Sequence, residues 1–356
     1  MNVCGGHERS ITLAGLRSAL PENIELIPGP GCPVCICPEE DVFEAIQLAL
    51  MEDVILVAFG DMLRVPVNVK KCKARTLAEA RAQGADIRPV ASPGEAVAVA
   101  RAHADKPVVF FAAGFETTSA PVAAMLVEGA PDNLFVLLSG RLTWPAVAML
   151  LESGETGFDA LIAPGHVATV MGPEDWQFVV TEYNIPTAIA GFTPQSLLAA
   201  MYSVLRQLND QHYFLDNCYP DLVRKGGNRS ARNHLETAFE VQDANWRGVG
   251  IIPNSGYVIS EQFKQHDARR HFPSYADDAR KRAGEMPPGC DCAQVVLGRI
   301  YPNQCRLYGK ACIPRNPIGP CMVSDEGACR IWWANGLRHG AESEKREQPV
   351  SQNPVS

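Results

Sequence analysis

The chain has 356 residues, 46% hydrophobic and 20% charged, which is ordinary for a globular protein and long enough for two or three domains with real cores. Its 32 Lys and Arg against 40 Asp and Glu leave a formal net charge of -8, which argues against nucleic acid as a main partner because phosphate binding needs clustered cations. The longest apolar run, Val108 to Phe115, is too short to span a bilayer, and MNVCGGHERS lacks the regions of a secretory signal, so a cytoplasmic protein is expected.

In chain order, Cys4 opens CGGH, where Gly5 and Gly6 allow a tight turn and leave a thiol beside His7. A lone Cys–His pair is as readily structural as functional. The apolar run Ile24–Ile27 predicts a strand leading into GPGCPVCICP, and a helix is expected at Glu39–Met51. Cys32 and Cys35 thus form a C-x-x-C at a strand-to-helix junction, where helix-terminal N–H groups stabilise a thiolate. Redox exchange or transient metal ligation fits this pair better than half a zinc site, since no second cysteine pair lies nearby; Cys37 reads as incidental.

Further strands are expected at Val54–Phe59, Ile87–Val90, Val108–Ala112, Leu134–Leu138, Ala160–Ala163 and Thr187–Ala190. Most are continuous apolar runs of the kind buried on both faces. Helical spacing appears at Gly94–His103, Pro121–Glu128, Trp144–Glu152, Glu174–Glu182 and Pro194–Leu208. The alternation implies βαβ units and parallel sheets. Two α/β units are expected, over residues 1–92 and 93–225, joined through the polar stretch Thr76 to Pro93. GFETTS and PGHV each follow a strand, and strand C-termini line the ligand crevice of an open α/β sheet. Glu116 and His166 are therefore candidates to face the thiols. The competing interpretation makes Glu116 a partner of a helix dipole and His166 a satisfied loop histidine.

From Gly226 the pattern weakens, which suggests a third unit over 226–340 and a polar, disordered tail over 341–356. The third unit holds six of the twelve cysteines: Cys290, Cys292, Cys305, Cys312, Cys321 and Cys329. In a reducing compartment such numbers point to metal ligation or redox chemistry rather than disulfides. Cys290, Cys305, Cys312 and Cys329 are spaced C-x14-C-x6-C-x16-C. Four thiolates on Pro- and Gly-rich loops suit a [4Fe–4S] cluster or Zn²⁺, with Cys292 or Cys321 able to replace one ligand. Residues 284–321 look too poor in apolar side chains to bury these thiols in a core. No Walker loop, G-x-G-x-x-G or nucleophile elbow is present, so a small-molecule α/β enzyme lacks its motif.

Taken together, CGGHERS, GPGCPVCICP, GFETT, PGHVATVMG and CDCAQVVLG…CRLYGKACIPRNPIGPCMVSDEGAC resemble the HypD family of [NiFe]-hydrogenase maturation factors, in order and over nearly the whole chain. The resemblance implies two thioredoxin-like or Rossmann-like α/β domains facing a cleft, plus a C-terminal iron–sulfur domain. It implies a scaffold and redox protein for assembling the Fe(CN)2CO group, with Cys4 on the iron and Cys32 and Cys35 as the redox dithiol. The [4Fe–4S] cluster would sit on the terminal cysteines. The implied partners are a HypC-type chaperone, a HypE-type cyanide donor and, indirectly, the hydrogenase large-subunit precursor. An iron–sulfur-dependent disulfide reductase is the alternative. Three features depart from the family pattern. Only three residues precede Cys4 where a few dozen are usual; a true start there implies that an N-terminal helix and most of the strand before Cys4 are missing, and a wrongly assigned start is the alternative. Arg9 stands where a second histidine is usual, and Ala168 where serine is common.

Overall fold

Strands that are apolar on both faces need cover on both faces, and parallel sheets flanked by helices supply it. The computed structural model describes residues 1–154, 157–284 and 286–337. In it β1 (Ile55–Phe59), β2 (Ile87–Val90), β3 (Val108–Gly114) and β4 (Leu134–Gly140) form one sheet in the order β2-β1-β3-β4. Every pairing in it is parallel. The order matches the start of a doubly wound sheet, whose switch point lies between β1 and β3. A second parallel sheet joins β5 (Leu161–Pro164), β6 (Thr187–Ala190) and β7 (Leu215–Asn217). Asn2 bridges both Pro28 and Ile162, so the first residues extend this second sheet beyond β5.

These pairings correct the expected division. The boundary at 92/93 falls inside the first sheet, between β2 and β3, and residues 1–28 belong with the second sheet. Thr76 to Pro93 thus lies within one sheet, carrying the helix Leu77–Ala82 and then β2 itself. Ile24–Ile27 is not a strand either. Its pairing is confined to the Pro28 bridge, with Asn2 N donating to Ile27 O at 2.9 Å and Gly29 N to Asn2 O at 2.7 Å. Pro28 has no N–H with which to extend a ladder. The stretch before Cys4 nevertheless keeps strand pairing at Asn2.

The helices that position thiols are short and locally encoded. They are α1 (Gly5–Leu13), α2 (Pro33–Ile36) and α3 (Glu39–Met51), and much later α5 (Ala328–Ala334); α4 (Thr143–Glu152) follows β4. Glu39, Glu40 and Asp41 in the first turn of α3 complement its dipole, and Val42, Phe43, Ile46 and Leu48 are buried. The expected helix Glu174–Glu182 splits into a 3-10 turn, Glu174–Trp176, and a helix, Gln177–Thr181. Beyond Gly226 lie a helix, Arg229–Ala238, and an antiparallel hairpin of β8 (Phe239–Trp246) and β9 (Gly250–Ile259). A bulge between Gln242 and Ala244 breaks its alternation.

The cysteine-rich segment builds no core of its own. Cys292, Cys305, Cys312, Cys321 and Cys329 are buried in the same apolar cluster as Cys32, Cys35, Phe43 and Ile46. The segment therefore does bury its thiols, by packing them against α2 and α3. The expected tail over 341–356 lies outside the described residues. Among the described residues no helix is long and apolar enough to cross a membrane.

Candidate functional site

Cys4 caps α1 in extended conformation, and Gly5 N donates to Gly31 O at 2.9 Å. This clamps the CGGH turn against the loop that enters CPVC. A Cβ at Gly31 would lie 2.3 Å from both the N and the Cα of Cys4, so only glycine permits this approach. In the next position, Cys32 caps α2 and its Sγ accepts from Cys35 N at 3.2 Å. Cys32 and Cys35 are joined as a disulfide with an S–S distance of 2.06 Å. One crevice is lined by Cys4, Cys32, Cys35, Cys321, Glu8 and Glu326. Burial pushes the Cys4 thiol up to about 12, outweighing the Gly6 and His7 N–H groups that favour its thiolate, and Glu326 pushes it the same way.

The C-terminal thiols come together differently from what their spacing suggests. Cys290 Sγ and Cys292 Sγ are 3.3 Å apart, and Cys329 N donates to Cys321 Sγ at 3.3 Å. Cys321 also accepts hydrogen bonds from the Cys292 and Cys329 side chains, which hold its thiol below the ordinary range. The contacts thus link Cys290 and Cys329 through Cys292 and Cys321. Cys305 and Cys312 sit beside this set, Cys312 Sγ accepting from Ile318 N at 3.4 Å. Burial raises Cys312 to about 11. A Cβ at Gly319 would lie 2.5 Å from both Cys290 Sγ and Cys292 Sγ, so glycine leaves these sulfurs their space. The donor set is entirely cysteine sulfur, a soft ligand once deprotonated, which fits an iron–sulfur group. Among the described residues no group of three or more His, Cys, Asp or Glu side chains is arranged to hold a metal ion as it stands.

Glu8, on α1 just after the CGGH turn, ties the two thiol regions together. Its carboxylate accepts from Arg17 at 2.7 and 2.8 Å, from Asn2 at 3.1 Å and from Trp332 Nε1 at 2.7 Å. Trp332 lies on α5 with Cys329, and the Arg17 guanidinium covers its ring at 5.2 Å.

The remaining candidates fall into distinct places. His7 is wholly buried with Nε2 3.0 Å from Ala190 O, and burial lowers it to about 4, so its imidazole is neutral. Its ring packs on Phe192 at 4.8 Å, and His166 stacks on the same phenyl ring at 3.9 Å. Desolvation lowers His166 as well, although the residue is exposed. Glu116 is not brought to the thiols. Its two oxygens accept from Thr143 N and Thr143 Oγ1, both at 2.6 Å, at the start of α4. This places Glu116 as a cap at the start of α4, as in the competing interpretation above. Cys37 is buried with its Sγ 3.4 Å from Ser139 Oγ, which donates to Asp41 at 2.6 Å.

Burial raises Glu116 from an ordinary 4.5 to about 7, so protonated Glu116 stabilises the fold below about pH 4.5 and this contribution is lost as pH rises through about 7. Glu116→Gln imitates the protonated form, and denaturant midpoints at pH 5 and pH 7.5 should differ less in the variant than in the wild type.

Sequence patterning did not single out Glu8, Glu326, Phe192 or Trp332, since nothing local marks a carboxylate or ring for burial between distant segments. The tight run CGGHERS was the one available signal for Glu8.

Cys4, His7 and His166 lie about the C-terminal ends of β5 and β6, and Cys37 meets Ser139 near the end of β4. A thiol site between the C-terminal edges of two parallel sheets defines a thiol-bearing α/β protein with a cysteine-rich C-terminal segment. The chain belongs to the HypD family of hydrogenase maturation factors. The family model described as HypD, hydrogenase formation hypA family, matches residues 1–336. Hydrogenase maturation factor HypD of Azotobacter vinelandii is 39% identical over 350 residues, 96% of this chain and 90% of that protein. HypD2 of Bradyrhizobium diazoefficiens is 37% identical, covering 94% of this chain and 89% of its own length. A putative hydrogenase expression/formation protein of Methanocaldococcus jannaschii is 38% identical, covering 94% and 90%.

Proposed function

We propose that this maturation factor is a cytoplasmic scaffold and redox protein on which the Fe(CN)2CO group of [NiFe]-hydrogenases is assembled. The observation that carries this reading is the single crevice shared by Cys4, the Cys32–Cys35 disulfide and Cys321, thiols from three separate segments. Cys4 holds the iron cargo as a soft ligand, and a HypC-type chaperone docks beside it. Reduction of the Cys32–Cys35 disulfide takes two electrons and two protons and yields two thiols, the form able to exchange or to ligate. A [4Fe–4S] cluster, when bound by four of the six C-terminal cysteines, supplies single electrons. Cys290, Cys292, Cys321 and Cys329 form the set already in contact. A HypE-type protein donates cyanide, and the hydrogenase large-subunit precursor receives the product.

Anaerobically purified protein is expected to be brown, with iron and acid-labile sulfide, and Cys329→Ser should lower both. Colourless protein with stoichiometric zinc overturns the cluster. Cys4→Ala should keep cluster and dithiol chemistry while abolishing hydrogenase maturation. If maturation survives Cys4→Ala, the disulfide-reductase alternative, which gives Cys4 no task, is the better account.

A further inference from the structure

The turn between β8 and β9 carries a buried charge that is only half satisfied. Arg247 lies in that turn, and its side chain has no solvent exposure. Its backbone N–H donates to Ile36 O at 3.0 Å, in the CPVC helix. Nη2 donates to Pro66 O at 2.7 Å and to Glu39 Oε1 at 3.3 Å. Nε and Nη1 have no partner. Guanidinium carries five N–H groups and never deprotonates, so three donors are desolvated without an acceptor, which is strongly unfavourable.

Glu39 does not resolve this. Its Oε1 is shared with Asn68 N, and its Oε2 accepts from Gly284 N at 3.1 Å. The surroundings show what acceptor is wanted. The next residue, Gly248, packs against the loop bearing Cys290 and Cys292, since a Cβ there would meet Met286 Cγ at 2.6 Å and Ala293 Cβ at 3.0 Å. Arg247 therefore stands between the CPVC helix and the first C-terminal cysteines, with its spare donors unpaired.

We propose that Arg247 is the charge-compensating donor of the C-terminal sulfur site: its Nε and Nη1 hydrogens bond an anionic sulfur, thiolate or inorganic sulfide, of the iron–sulfur group held around Cys290. This rests on the cluster assigned above and adds a role for a residue that ligates nothing. A fixed positive charge and hydrogen bonds to sulfur favour the more negative, reduced state, so Arg247 raises the reduction potential of the group.

The test uses the full chain reconstituted anaerobically with iron and sulfide, with Arg247→Gln and Arg247→Lys alongside the wild type. Iron and sulfide content should be retained in both variants. Spectroelectrochemical titration should show the reduction equilibrium of Arg247→Gln shifted at least tenfold toward the oxidised form, about 59 mV for one electron. Arg247→Lys keeps the charge without the planar fork and should shift less. Full iron content with an unchanged potential in Arg247→Gln overturns the proposal and leaves Arg247 a strut. A second measurement needs no variant: in wild-type protein labelled with ¹⁵N-arginine, the reduced cluster should show weak nitrogen hyperfine coupling, and its absence also overturns the proposal. Wild-type protein that binds no cluster overturns the functional reading and this inference together, whereas a loaded cluster indifferent to Arg247 defeats only this inference.

Discussion

Glu8→Ala is expected to destabilise the fold by about 3 kcal/mol and to free the C-terminal thiol segment from the Cys4 helix. Glu8 is 2% exposed and gathers Arg17, Asn2 and Trp332 on two oxygens. Removing one member of a buried ion pair costs about 3–5 kcal/mol, because the group left behind stays desolvated without its partner. Arg17 is 20% exposed and can recover some hydration, which places the loss at the low end. Trp332 cannot, since it is buried, with the Tyr301 ring stacked on it at 5.2 Å. Urea denaturation measures the stability, and the alkylation rate of Cys329 on α5 reports the detachment. Glu8→Gln keeps an oxygen for Trp332 and should fall between the two. Equal urea midpoints for Glu8→Ala and wild type would show that the hub holds nothing.

The same residue marks how far the sequence could be read. Strands β1 and β3 to β6 were visible because a run such as VVFFAAG has one physical meaning, burial on both faces, whatever its neighbours. Which strands share a sheet was not visible. Nothing in residues 1–28 says that Asn2 pairs with Ile162, a contact set by the path of the whole chain. The thiols of the candidate site were legible as motifs, and the crevice joining Cys4 to Cys32, Cys35 and Cys321 gathers them. Spacing does not show which C-terminal thiols touch. Loops that turn at Gly298, Gly309 and Gly319 decouple distance along the chain from distance in space, so Cys292 and Cys321 are in the contact set and Cys305 and Cys312 stand beside it. Glu116 was ambiguous for another reason. A carboxylate after a strand serves a ligand or a helix terminus equally well, and only the position of Thr143 decides.

Gly31→Ala is expected to part Cys4 from the dithiol loop while leaving each sheet intact. The methyl carbon would lie 2.3 Å from Cys4 N and Cα and 2.5 Å from the carbonyl carbon of Val3. All three neighbours are backbone, so no rotamer change relieves the clash. One of the two strands of chain must move. Val3 is held by its N–H to Ile162 O at 3.3 Å and Asn2 by Ile27 O at 2.9 Å, which ties the Cys4 side to the second sheet. The other side is the stiff run Gly29-Pro30-Gly31, pinned by Gly5 N to Gly31 O at 2.9 Å. That hydrogen bond is the first thing an outward shift breaks, and it joins the two thiol motifs directly. Overpacking of this kind costs about 1–3 kcal/mol, and the upper end applies where the obstacle is backbone. The larger consequence is chemical. After reduction of Cys32–Cys35, a short bifunctional alkylating agent should link Cys4 to Cys32 in the wild type and fail to do so in Gly31→Ala. Gly60→Ala, where an added Cβ meets nothing within 4 Å, is the control and should behave as wild type. Cross-linking that survives Gly31→Ala would mean that the approach of Cys4 to the dithiol does not depend on this glycine, and the shared crevice would lose its structural basis.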